Sequence, residues 1–478
     1  MIMDSTNNAI PTGKPKRRLR QIDAYVLLFC ILLICAAATY LVPTGEFERV
    51  KKGEITVVVP GSYHAVPANP TGFMDFFTAI QMGMIKGAPI IFLVLFTGGA
   101  LAVLDKTGAL RAAILTLVRK LGNRETLLII LVCAVFSFLG TLGVIVNSVI
   151  AFIPLGIMIA RAMKLDAIFG VSLIYLGVYA GFNTSIAFPG TIGLSQQIAE
   201  LPLFSGIGFR TIIYISFVIV TIWYIARYAK KLRKDPNNSI LGATAFPSEN
   251  DKTDNEIDAN MEFTLQHKLI LAFTGLVLIS FIALTLILKW DVNEMAGIFI
   301  FIAIGVGLIS RMEVNDIAKT FIQGCQKLVY GALIVGMARA VTVILEDGKF
   351  LDTIVNWLAI LLEPLSPVAG AIGMFLGSAG LHFLISSGSG EAVMLMPILA
   401  PLSDLMGITR QVAVEALMLG EGVVNCINPT SGVLMSILAI SAIPYGKWIR
   451  FMMPLIGIWV AISMVFLVIG VMINWGPY

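Results

Sequence analysis

Charge is scarce in this sequence. Of 478 residues, 13% are Asp, Glu, Lys or Arg, 58% are hydrophobic, and the mean hydropathy is +0.90. A soluble chain of this length cannot hide so much apolar surface. Histidine is rarer still. His64, His267 and His382 are scattered, so a histidine-based metal site has no sequence support. Cys30, Cys35, Cys133, Cys325 and Cys426 all sit in apolar segments and form no CxxC pair, which favours packing over disulfides or metal ligation. No GxxxxGK[ST] loop occurs, which disfavours ATP-driven chemistry and leaves an ion gradient or exchange as the energy source. The basic run "KPKRRLR" reads as a stop before a membrane span, not as a nucleic-acid patch.

What is abundant is apolar sequence in runs of about 20 residues, the length that crosses a bilayer core. The fold class is therefore an all-α polytopic membrane protein, and the lipid bilayer is its first partner. Lys and Arg at the loop ends place the N-terminus in the cytoplasm. The chain divides into a cytoplasmic tail (1–21), a first transmembrane repeat (22–232), a cytoplasmic linker (233–266), an extra transmembrane helix (267–293) and a second repeat (294–478). Residues 22–43 form a retained first helix. Residues 44–72 make an outside loop with a short strand or hairpin, and a helix spans about 74–104.

The basic stretch "DKTGALRAAILTLVRKLGNR" lies along the cytoplasmic face. The apolar run 127–160 has basic flanks at both ends, so it reads as a helical hairpin with its tip at Leu139–Ser148. A broken span follows at about 168–200, interrupted by "AGFNTSIAFPG". The second half repeats the pattern, with a hairpin at 367–404 and a broken span at 411–440. "FNTS" (Phe182–Ser185) echoes "INPTS" (Ile427–Ser431), and "NSVIAFIPLG" echoes "GEAVMLMPIL". One extra helix between the halves inverts the second copy. The expectation is two inverted-topology repeats, each with a re-entrant helical hairpin and a broken transmembrane helix, as in secondary transporters.

A backbone group facing lipid without a partner costs several kcal/mol, so four breaks survive best if they converge near the midplane. Half-helix N-termini there suit a carboxylate, and opposing carbonyls suit a cation. The substrate-binding candidates are Asn147, Ser148, Asn183, Thr184, Ser185, Ser386, Ser387, Gly388, Ser389, Glu391, Glu421, Asn425, Asn428, Thr430 and Ser431. On this reading the "SSGSG" tip binds ligand through its backbone, and Glu391 faces the cavity. The bland reading of the small residues is close helix packing. A carboxylate within a span must be paired, neutralised or wet. Glu391 and Glu421 are thus coupling or substrate-cation candidates, against the alternative of a structural salt bridge. Arg339 is a charge-pair candidate, either for a substrate carboxylate or for one of those glutamates. Glu415 reads as structural or snorkelling, and Asp404 and Arg410 as interfacial. No metal or other cofactor is required, with Na⁺ or H⁺ as the possible coupling ion.

The stretch "SSGSGEAVMLMPILAPLSDLMGITRQVAVEALMLGEG", followed by "NPTSGVLM" and "YGKWIRF", closely resembles the YfcC family of bacterial carriers. "VGMARAVTVILEDGKFLDTIV" and "YLVPTGEFE" are similar to it as well. The resemblance spans essentially the whole chain. It implies an inner-membrane carrier with elevator-type alternating access, working as a homodimer on basic amino acids by exchange. Relatives in the wider superfamily carry C4-dicarboxylates or other organic acids. The expected function is secondary transport of a small basic or zwitterionic amino acid. The alternative is a Na⁺- or H⁺-coupled carrier of C4-dicarboxylates or other small organic acids. Neither is an enzyme.

Overall fold

The computed structural model describes residues 24–52, 55–109, 112–113, 116, 125–143, 145–242, 245–246, 263–288, 290 and 292–476. The expected cytoplasmic tail, most of the basic stretch after Asp105 and the linker residues 247–262 lie outside them.

The described chain is overwhelmingly helical. Helix α1 (Ala24–Ala38) enters a small cap of two antiparallel strand pairs, β1 (Gly45–Glu46) with β4 (His64–Ala65) and β2 (Arg49–Lys52) with β3 (Ile55–Val58). Asp352 pins this cap from the far half of the sequence. Its carboxylate accepts from the Phe47 N–H at 2.9 Å and from Arg49 Nη2 at 2.9 Å on both oxygens.

Helix α2 (Phe73–Lys106) and helix α11 (Val314–Asp347) are each 34 residues long and run antiparallel against one another. Small residues let the two backbones approach. A methyl group on Gly83 would lie 2.6 Å from the Ala340 nitrogen, and one on Gly98 would lie 2.8 Å from the Gly324 carbonyl oxygen. With α8 (Ile207–Lys234), α10 (Val292–Ile309) and α17 (Tyr445–Met472), these make five helices among the described residues that are long and apolar enough to cross a membrane. Helix α9 (Leu265–Leu288) joins the halves.

Between the long helices lie shorter, interrupted ones. Helix α3 (Glu125–Thr141) ends in a turn, and the chain resumes through a 3₁₀ segment (Ser148–Phe152) into α4 (Ile153–Ala162). Helices α5 (Ala167–Val171) and α6 (Gly177–Phe182) are joined by a π-helical turn. They stop at Asn183, and a second π-helical stretch (Pro189–Gly193) leads into α7 (Leu194–Ile198). In the second half, α12 (Leu351–Leu362) precedes α13 (Pro367–His382), a break at 383–387, and α14 (Gly388–Leu405). Helix α15 (Arg410–Asn425) breaks at 426–431 before α16 (Gly432–Ile440). Each expected interruption is thus a real end of helix.

The core at these interruptions is tight. A methyl on Gly181 would sit 2.8 Å from the Thr141 nitrogen, which locks α6 to α3. One on Gly420 would sit 2.9 Å from Ser378 Cβ, which locks α15 to α13. Arg210 on α8 and Glu415 on α15 form a fully buried ion pair, Nε to Oε2 at 2.8 Å. Glu415 is therefore a structural partner that holds the halves together, and it does not snorkel. Arg410 and Asp404 pair at 2.8 Å with both side chains partly exposed, as expected of an interfacial turn.

Candidate functional site

The broken segments touch one another. In the first half, Thr141 at the end of α3 meets the break after α6. Its hydroxyl accepts from the Ile186 N–H at 2.9 Å, and its carbonyl accepts from Ser185 Oγ at 3.3 Å. In the second half, Asn428 Nδ2 donates to the His382 carbonyl at 2.7 Å, and Thr430 Oγ1 donates to the Phe383 carbonyl at 3.0 Å. In both halves, side chains at the later break satisfy carbonyls left open at the C-terminus of the earlier helix, α3 or α13. The halves join where Gly422 faces the first break: a methyl there would lie 2.6 Å from Asn183 Cα.

At the centre of the second-half breaks sit His382, Glu391 and Glu421, all fully buried, with ligand-type atoms within 4.8 Å of one another. His382 Nδ1 and Glu391 Oε2 are 2.8 Å apart, and Ser378 Oγ donates to Glu391 Oε1. Ser378 is itself tied to α15, through the Leu417 carbonyl at 2.9 Å. Glu421 differs: among the described residues neither carboxylate oxygen has a hydrogen-bond partner, and neither does His382 Nε2. The Glu421 carboxylate packs against Gly388, the first residue of α14. The carboxylate thus lies at the positive end of that helix.

This geometry narrows the candidate set. Of the substrate-binding candidates, Glu421 and Asn183 are the two whose buried side-chain polar atoms all lack a partner among the described residues: both carboxylate oxygens of Glu421 and both amide atoms of Asn183. The Cys426 thiol stands beside Asn183 but makes no regular hydrogen bond to it. Thr184 is spent on its own helix, donating to the Ala180 and Gly181 carbonyls. Ser185 holds Thr141 and accepts from the Phe188 N–H. Ser387 and Ser431 are helix caps, accepting from the Gly390 and Leu434 N–H groups, and Ser431 Oγ also donates to Asn425 Oδ1 at 3.3 Å. Asn428 is saturated, with Oδ1 accepting from both the N–H and the hydroxyl of Thr430. Ser148 is buried in the 3₁₀ segment, while Asn147 is exposed at its start. Ser386, Ser387 and Gly388 are half-buried.

At the "SSGSG" tip, Ser389 and Gly390 are exposed. Three expectations need correction. Glu391 does not face an open cavity, because both its oxygens are taken by Ser378 and His382. Arg339 pairs with neither Glu391 nor Glu421. It is half-buried on α11 and makes no hydrogen bond or ion pair among the described residues. The dismissal of histidine missed His382, which the end of α13 delivers to both glutamates. The one sequence signal that would have found it is its position at the break, nine residues before Glu391.

Comparison with known proteins adds the following. The chain matches the family described as "DcuC: C4-dicarboxylate anaerobic carrier" over residues 22–472. It belongs to that carrier family. It is 29% identical to the Escherichia coli protein named "Putative basic amino acid antiporter YfcC", over 97% of this chain and 98% of that one. An uncharacterised protein of Haemophilus influenzae is 26% identical over 96% and 98% of the two chains. Two solved transporters share a loose likeness. Alcanivorax borkumensis YdaH has 16% identity and a TM-score of 0.43 over 95% of this chain and all of its own. Neisseria gonorrhoeae MtrF, described within a class of antimetabolite efflux pumps, has 17% identity and a TM-score of 0.43 over 96% and 98%. Likenesses of that degree fix no residue correspondence. The protein is a multi-pass membrane carrier with a small-molecule substrate.

Proposed function

We propose that this carrier is a secondary active transporter of a small amino acid with a cationic group, basic or zwitterionic, working by exchange or ion coupling. One observation carries the reading: Glu421 is a fully buried carboxylate with no partner, next to a second carboxylate and a histidine. A buried carboxylate is costly until a cation or a proton neutralises it. A substrate ammonium or guanidinium meets that demand, with Asn183 offering two free amide atoms across the junction of the halves. A dicarboxylate placed directly at Glu421 would meet like charge and an already occupied helix N-terminus. The name of the Escherichia coli relative agrees with a basic amino acid as cargo.

The alternative is a Na⁺- or H⁺-coupled carrier of C4-dicarboxylates, favoured by the family's name. In that reading Glu421, Glu391 and His382 hold the coupling cation. The substrate's carboxylates go elsewhere, with the unpaired Arg339 as their candidate. In both readings the two sets of broken helices are inverted copies with re-entrant hairpins. One set moves against the other in an elevator-type cycle, in a homodimer of the bacterial inner membrane with a cytoplasmic N-terminus.

Proteoliposome assays separate the two. Counterflow of labelled arginine or ornithine without an ion gradient, lost in Glu421→Gln, supports amino acid exchange. Sodium- or proton-driven succinate uptake with no arginine counterflow rejects it.

A further inference from the structure

A second polar feature lies away from the broken helices, where α8 ends and α17 begins. A cleft of about 590 Å³ opens there, lined by Arg227 and Lys231 from α8 and by Lys447 and Arg450 from α17. The spacings are helical: Tyr224, Arg227, Tyr228 and Lys231 share one face of α8, and Lys447, Arg450, Phe451 and Pro454 share one face of α17. Among the described residues, four cations line this cleft and no carboxylate does. Two acids border the lining residues: Asp166 is buried and already accepts from Tyr228 and from Ser239, each at 2.6 Å, and Asp235 Oδ1 accepts from the Asn237 N–H at 3.0 Å. Lys447 Nζ donates to the Ile240 carbonyl at 2.7 Å, which holds part of the linker over the cleft. Arg227 stacks on Trp223, and Lys231 and Arg450 form no ion pair among the described residues.

The cleft does not end at its cations. Pro454 is shared with a second, mainly apolar cleft of about 470 Å³ that continues along α17 past Gly457, Ala461 and Val465 to Phe466, with Ser216 of α8 on its other side. Gly457 leaves open space where a side chain would stand. A basic pocket at a membrane-facing helix end that passes into an apolar groove along the same helices has the polarity of a phospholipid.

We propose that this composite groove binds an anionic phospholipid, with its phosphate among Arg227, Lys231, Lys447 and Arg450 and an acyl chain along α17 past Gly457. Basic pockets between transmembrane helices recognise such headgroups, and each Lys or Arg adds comparable binding energy. The apolar continuation distinguishes a lipid from a free phosphate, which would use the basic end alone. A lipid seated there would also brace the linker segment Asn237–Gly242 against both helices.

The test uses full-length protein in phosphatidylcholine nanodiscs doped with phosphatidylglycerol, read by native mass spectrometry of retained lipid and by thermal unfolding. Phosphatidylglycerol should be retained in preference to phosphatidylcholine and should raise the midpoint. Lys231→Gln with Arg450→Gln should weaken retention roughly thirty-fold. Gly457→Leu, with all four cations intact, should weaken it as well by filling the groove. Lys86→Gln, an exposed cation paired to Glu346 elsewhere, should change nothing. Equal retention by wild type and the double variant overturns the proposal. Stabilisation by glycerol phosphate as great as by phosphatidylglycerol assigns the cleft to a soluble phosphate and overturns the lipid, and retention unchanged in Gly457→Leu overturns the acyl chain's place along α17.

Discussion

Asn183 and Asn428 stand in matching stretches, "FNTS" and "INPTS", each at the break of an interrupted helix. Both are fully buried, yet one is idle and the other fully engaged. Asn428 spends its amide on the His382 carbonyl and its oxygen on Thr430, so the second break is closed by its own side chains. Asn183 makes no hydrogen bond with either atom. The acids are distributed the other way: both buried glutamates of the site lie in the second half, and the first-half breaks bring none. The second half therefore supplies rigid geometry and negative charge, and the first supplies unspent hydrogen-bonding capacity. Buried polar groups are almost always satisfied, and in the proposed function the unspent atoms of Asn183 and Glu421 are the ones a substrate would engage.

Breaking that asymmetry should have graded effects. Glu421→Gln removes the unpaired charge. It should lower transport about a hundredfold, equivalent to roughly 2.7 kcal/mol of barrier, while leaving the unfolding midpoint unchanged or higher. Counterflow measured beside thermal unfolding checks both halves of that expectation. Asn428→Ala deletes three hydrogen bonds and strands the His382 carbonyl, at a cost of about 2–3 kcal/mol in stability, visible as a lower midpoint in detergent. Gly181→Ala and Gly420→Ala test what the halves share. Each places a methyl against backbone or Cβ atoms, and each should destabilise by a similar amount, about 1–3 kcal/mol. Unequal costs would mean that the two helix pairs are not packed alike. Asn183→Ala should barely move the midpoint, by about 0.5 kcal/mol or less, because it breaks no bond. It should still lower transport roughly tenfold, about 1.4 kcal/mol. A large stability loss there with normal transport would assign Asn183 to packing.

The helices and their interruptions were legible because composition and turn chemistry act locally. Apolar runs of membrane length and the clusters around Ser386–Gly390, Asn183–Ser185 and Asn425–Ser431 each announce themselves within a short window. The site was legible only as a neighbourhood. Nothing local distinguishes Asn183 from Asn428, or Ser185 from Ser431, since their residue types and surroundings match. His382 was overlooked because a lone histidine in an apolar stretch carries no spacing signal; its meaning comes from Glu391 on the returning helix and Glu421 on a third. Arg210 drew no notice for the same reason, and its buried pairing with Glu415 sets that glutamate apart from Glu421.

The sequence by itself determined that this chain lives in a membrane, where its helices run and where they stop. Those properties follow from the hydrophobicity and backbone preferences of consecutive residues. Only the tertiary structure decided which buried polar atoms are spent and which are free. Hydrogen bonds between Asn428 and His382, or the absence of any at Asn183, depend on how segments far apart in sequence come within 3 Å of each other. That accounting is closed by packing, not by composition.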